Sequence, residues 1–129
     1  MTEPDQKREP RGELQIRTLA MPADANPNGD IFGGWLLSQM DVAGGIHASR
    51  RAGGRVATVA IDAMTFHLPV FIGDVVCCYA DTEKVGRTSM AIHIEAWVIR
   101  RGAAERVLVT QGRFTYVAIG EDRRPRIVP

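Results

Sequence analysis

Nothing in the chain approaches the roughly 20 apolar residues that span a bilayer, and residues 1–11 are polar and charged, without the apolar core of a secretion signal. A membrane segment and an export signal are therefore not expected, and the cytoplasm is the default compartment. An excess of one charge sign is also missing: 16 Lys and Arg stand against 15 Asp and Glu, a formal net charge of +1. That balance argues against a general nucleic-acid binder but leaves room for a small phosphate-binding patch. Cysteine is scarce. Cys77 and Cys78 are adjacent and on a strand would point to opposite faces, so neither a mutual disulfide nor a metal-ligand spacing is expected. The three histidines, His47, His67 and His93, form no ligand pair or triad. No metal or cofactor, repeat or low-complexity segment is expected, and 129 residues suit one domain with a single core.

What the chain does have is a polar turn running into an apolar helix. Residues 24–30 are dense in Asn, Asp, Gly and Pro, which fix φ or fold back on the local backbone. Gly33 and Gly34 follow at the expected helix start. There, bare backbone N–H groups at the positive end of the macrodipole are accessible to an oxyanion or phosphate. The helix is expected to run to about Ser49. At about 100° per residue, the face centred on Asp41 also carries Gly34, Leu37, Ser38, Gly44, Gly45 and Ala48. The remaining faces are apolar too, the pattern of a helix buried on most sides. Gly inside a helix costs about 1 kcal/mol relative to Ala, so Gly44 and Gly45 need a reason. Asp41 reads either as a cap or arginine partner, or as a general base or nucleophile set in a crowded face.

The rest of the chain reads as sheet. Residues 1–11 form an expected mobile tail, and 12–129 one domain. A first strand covers 13–20, and a β-rich run covers 55–68, ended by Pro69. A strand at 75–85 leads through a two-residue Gly86-Arg87 hairpin into a strand with Met90, Ile92, Ile94, Ala96 and Val98 on one face. A last strand covers 106–119, with Val107, Val109 and Val117 expected on one side and Leu108, Phe114 and Tyr116 on the other. Short connections imply an antiparallel meander, and one helix on such a sheet is an α+β layer with the sheet curled around the helix. The uncovered sheet face and Asp41 stripe call for a dimer or larger assembly.

Two motifs have plainer readings. Asp24, Asn26, Asn28 and Gly29 match the opening of a calcium loop, but the position that needs a bidentate Glu is Trp35. Ser38 lies within reach of Asp41 but has no histidine partner or elbow motif. The basic cluster at 84–89, with Lys84, Gly86, Arg87 and Ser89, could hold phosphate oxygens, while the second basic cluster at 123–126 reads as solvated surface.

The run Asp24, Asn26, Gly29, Ile31, Phe32, Gly33, Gly34, Trp35, followed by Ser38, Gln39, Met40 and Asp41, resembles the signature of hotdog-fold acyl-CoA thioesterases, closely the YciA type. The likeness extends through 17–22, 73–79, 84–87 and the C-terminal tail, nearly the whole chain beyond its N-terminus. It implies a hotdog fold and hydrolysis of acyl-CoA to free acid and coenzyme A, with coenzyme A as part of the substrate. By this resemblance Asp41 is the base or nucleophile and Asn26 an accessory group. The N–H groups of Gly33 and Gly34 polarise the carbonyl, Met64, Thr65 and Phe66 line the thioester end, and the 84–89 tip with Arg124 holds the phosphates. The site would lie between protomers of a homo-oligomer, a hexamer built as a trimer of dimers. Thr65 stands where the family pattern has Asn, and His67 and Leu68 also depart from it, which bears on substrate preference. A non-hydrolytic acyl-CoA binding module is the second reading. A dehydratase is third, since neither the loop nor the helix start holds a histidine.

Overall fold

A computed structural model describes residues 9–129; residues 1–8 of the expected 1–11 tail lie outside the described residues. In chain order the elements are β1 (Glu13–Leu19), a single 3-10 turn (Pro22–Asp24), α1 (Gly33–Ala52), β2 (Val56–Phe66), β3 (Val75–Val85), β4 (Ser89–Ile99) and β5 (Arg106–Ala118). All five strands join one antiparallel sheet in the order β1-β3-β4-β5-β2. α1 touches every strand. Five strands about 4.8 Å apart make a flat sheet about 19 Å wide, wider than a helix of about 10–12 Å, so the sheet has to curl around α1 to do this.

β3, β4 and β5 form the expected meander, but β2 departs from it. It pairs with β5 at the far edge instead of lying beside β3. Residues 67–74 are longer than the 2–5 residues of most hairpin links, and fully extended they reach about 26 Å, enough to cross the sheet. They pass over the end where α1 begins. Ile31 N–H donates to the Val70 carbonyl at 2.9 Å, and Asp30 bridges Phe71. Buried Asp74 holds the crossing by accepting from Phe71 N–H at 2.9 Å and from the Arg100 guanidinium.

The helix runs one turn beyond the expected Ser49. Arg50 and Arg51 sit in its last turn, where cations meet the negative end of the dipole, and Gly53 ends it at φ 69°. Arg126 donates to the Ala52 carbonyl at 2.7 Å and closes that end. Leu36, Met40, Ala43, Gly44, Ala48 and Ala52 are its buried residues, a repeat of three and four that marks one face. The expected burial on most sides is not met within one chain: Val42 is 53% exposed.

Met90, Ile92, Ile94, Ala96 and Val98 face the helix in the main core, as their alternation predicts. Cys78 joins them, while Cys77 sits in a second cluster on the other sheet face with Tyr79, Trp97 and Leu108. Leu108 is thereby separated from Phe114 and Tyr116, with which it was expected to share a face. A bulge is the cause: Ala96 pairs with Thr110 but Trp97 with Leu108, and Val109 is skipped. The β3–β4 link is also one residue longer than expected, since β4 begins at Ser89; Gly86 N–H donates to the Ser89 carbonyl at 2.7 Å.

Candidate active site

Asp41 lies midway along α1 and is half-buried. Its Oδ1 accepts from the Thr58 hydroxyl at 2.7 Å and from the Tyr116 hydroxyl at 2.9 Å. The same Tyr116 proton is shared with the Asp41 backbone carbonyl, 3.0 Å away. Thr58 and Tyr116 are partners across the β2–β5 ladder, so both side chains reach the helix from one sheet face. Burial, then the charge and hydrogen bond of Asp41, hold the Tyr116 phenol well above the usual tyrosine range, so it stays protonated and donates. Among the described residues no Arg, Lys or His pairs with Asp41. The arginine-clamp reading of this acid is therefore not met.

Ser38, expected within reach of Asp41, gives its proton to the Trp35 carbonyl at 2.6 Å. At the helix start the first bonded amide is that of Trp35, which reaches the Phe32 carbonyl at 3.1 Å. Gly33 and Gly34 N–H have no acceptor among the described residues, and Phe32 provides no side-chain cap. Asn26 shapes the loop in front of them. Its Oδ1 accepts from Asn28 N–H at 2.9 Å and Asp30 N–H at 3.2 Å, and its own N–H reaches the Asp30 carbonyl at 2.7 Å. The amide nitrogen of its side chain has no partner among the described residues. The structure does not bring these parts together in one chain: seven residues at 1.5 Å each put Asp41 about 10 Å down the axis from Gly34.

The expected substrate-binding residues separate into three places. Phe66 lies against Gly33 at the helix start, and Met64 packs under the sheet against Gly112, where any Cβ would overlap its sulfur. Thr65 points the other way. A register shift between Asp62 and Thr65, with Ala63 at φ 51°, precedes it. It lines a cavity of about 240 Å³ with Glu83, His93, Gln111 and Arg113, on the sheet face away from Asp41. The polar groups of that cavity are paired: Arg113 with Glu83 at 3.2 Å, Gln111 with His67 at 3.0 Å, and His93 with Glu95 at 2.7 Å.

The hairpin tip and the C-terminal segment do come together. Ala118 N–H donates to Thr88 and Val128 N–H to Arg87, both at 2.9 Å. Lys84, Arg87 and Arg124 are exposed, and Gly86 and Ser89 half-buried; Arg124 bonds back to Gly120 and Asp122, further along the C-terminal segment. Sequence reasoning missed Thr58 and Tyr116. The signal available was Gly44: a Cβ there would overlap the Tyr116 hydroxyl and the Ile94 methyl, so the unexplained glycine marked where another side chain enters. Among the described residues no group of His, Cys, Asp or Glu is arranged to hold a metal, and no helix is long and apolar enough to cross a membrane.

A curled antiparallel sheet on one long helix is the layout of a hotdog fold. Residues 28–104 match the Thioesterase superfamily. The chain is 54% identical over 123 residues to the acyl-CoA thioester hydrolase YciA of Salmonella typhimurium, covering 93% of this chain and 92% of that protein. The hexameric thioesterase y2039 of Yersinia pestis superposes with a TM-score of 0.90 at 55% identity, over 94% of this chain and 98% of that one. A hexameric hotdog-fold thioesterase of Campylobacter jejuni superposes with a TM-score of 0.86 at 39% identity, over 92% and 91%. The chain belongs to the Thioesterase superfamily and is a thioester hydrolase.

Proposed function

We propose that this chain hydrolyses acyl-CoA to a free acid and coenzyme A, with Asp41 as general base or nucleophile. The carbonyl would be polarised by the N–H groups of Gly33 and Gly34. The observation that carries this reading is the Asp41 carboxylate. One oxygen is held by two hydroxyls, no cation among the described residues neutralises it, and Val42 beside it on the helix is exposed. Preorganised amides facing a developing oxyanion contribute on the order of 3 kcal/mol, and a placed carboxylate a further ~10²–10⁴-fold in rate.

One carbonyl cannot meet the Gly34 amide and the Asp41 carboxylate of the same helix across about 10 Å, so the two would come from different protomers. On this reading the site would lie between copies of the chain. Edge strand β2 supports that arrangement, with Val59 57% exposed and Ile61 also open, and so does Val42, open on α1. The similar proteins of Yersinia and Campylobacter are described as hexamers, and a trimer of dimers is the proposed assembly here. Asn26 would contribute its side-chain N–H, and Met64 and Phe66 would border the acyl end. Lys84, Arg87 and Arg124, with Gly86 and Ser89, would hold the phosphates. Thr65 is left out of the acyl end because its side chain faces the other side of the sheet. The reaction needs water but no cofactor, and the proposed compartment is the cytoplasm.

Thiol release from a panel of acyl-CoAs tests the reading. Turnover by the native chain that collapses in Asp41→Asn, with acyl-CoA binding kept, supports it. Full turnover by Asp41→Asn removes the mechanism. Binding of acyl-CoA by the native chain without thiol release removes the activity.

A further inference from the structure

Asp41 is half-buried beside exposed Val42, and a carboxylate on two rotatable bonds there would ordinarily sample several rotamers. In this structure it is fixed from below. The Tyr116 ring is buried in β5 beside Phe114, with centroids 6.4 Å apart and planes at 12°, so its hydroxyl has one place to be. That place is the gap left by Gly44, one turn beyond Asp41, where any side chain would overlap the hydroxyl. From it Tyr116 donates to Oδ1 at 2.9 Å, and Thr58 donates to the same oxygen at 2.7 Å. Among the described residues Oδ2 has no donor.

We infer that Tyr116 is a positioning residue for the hydrolytic reaction: through the gap at Gly44 its hydroxyl pins one oxygen of Asp41 and leaves the other free for water or the thioester carbon. The inference rests on the reading of Asp41 as the reacting acid. It assigns separate work to the two oxygens, one for orientation and one for chemistry. It also gives Gly44 its reason, together with the packing of Ile94. A small residue in mid-helix costs helix stability and here makes room for a phenol.

The test is Tyr116→Phe, which keeps the ring, its packing and the Gly44 contact and removes only the hydroxyl. A hydrogen bond to a charged group is worth enough that kcat should fall about 10- to 100-fold. KM should stay within about two-fold, because an orienting bond acts on the transition state more than on binding. An unchanged kcat overturns the inference, and so does an equal rise in KM with kcat intact. Should Tyr116→Phe unfold, Thr58→Val decides. It removes the other donor from the same oxygen on an edge strand, and unchanged kcat there overturns the two-oxygen division. Asp41→Asn is measured alongside. If it stays active, the reading of Asp41 fails; if it is inactive while Tyr116→Phe and Thr58→Val are fully active, the positioning inference alone fails.

Discussion

Two carboxylates in this molecule, Glu95 and Asp41, accept hydrogen bonds from side chains of the sheet, and they are held differently. Glu95, on the sheet face away from α1, is 0% exposed. Its Oε1 accepts from Trp97 Nε1 at 3.0 Å and Arg11 N–H at 3.1 Å, and its Oε2 meets His93 Nε2 at 2.7 Å. Both oxygens are used and water is shut out. Asp41 is half-buried, with both donors on one oxygen. A carboxylate bonded on both sides is a structural pin, since every lone pair it lends to the fold is lost to chemistry. One bonded on a single side is aimed and still reactive. If Asp41 is the reacting acid as proposed, burial alone ranks these two acids the wrong way round.

The largest break in that contrast should come from Asp41→Asn: kcat for acyl-CoA falls about 10²- to 10⁴-fold while the urea midpoint hardly moves. Glu95→Ala should do the reverse. Stranding the indole, imidazole and Arg11 donors costs about 3 kcal/mol, read as a lower urea midpoint, with kcat per folded molecule unchanged. If Glu95→Ala instead abolishes turnover at full stability, the division between pin and reactive acid is wrong. Val59→Asp, on the open edge of β2, sharpens the comparison from outside the chain. It should shift the assembly toward smaller species in sedimentation, and activity should fall with assembly even though Asp41 and its donors are untouched. The smallest effect belongs to the periphery: Arg87→Ala should raise KM for acyl-CoA about two- to five-fold, as for an exposed ionic contact, and leave KM for a pantetheine thioester lacking the nucleotide unchanged.

What was legible in the sequence was local. The helix start at Gly33, the bounds of β3 and the inward face of β4 follow from turn residues and period-two alternation, which act within a few positions. The pairing of β2 with β5 was not legible, because nothing near 67–74 states which edge the chain will choose. Thr65 was grouped with Met64 and Phe66 by the resemblance and not by any local pattern; alternation along β2 turns it to the opposite sheet face, where it lines the cavity. Asp41 could be singled out as an acid in an apolar helix. Its two donors could not, since Thr58 and Tyr116 meet it only after two strands distant in sequence are zipped together.

The 20-residue length of α1, with its acid some way down from its amide end, carries one more consequence for the proposed assembly. If each reaction centre takes its acid from one chain and its amides from another, two dead chains can rescue each other. Mix a subunit lacking the acid with one whose Gly34 is replaced by proline, which has no amide hydrogen to give. In each mixed pair one centre inherits both lesions and the other inherits neither, so activity returns on co-expression from two silent parents.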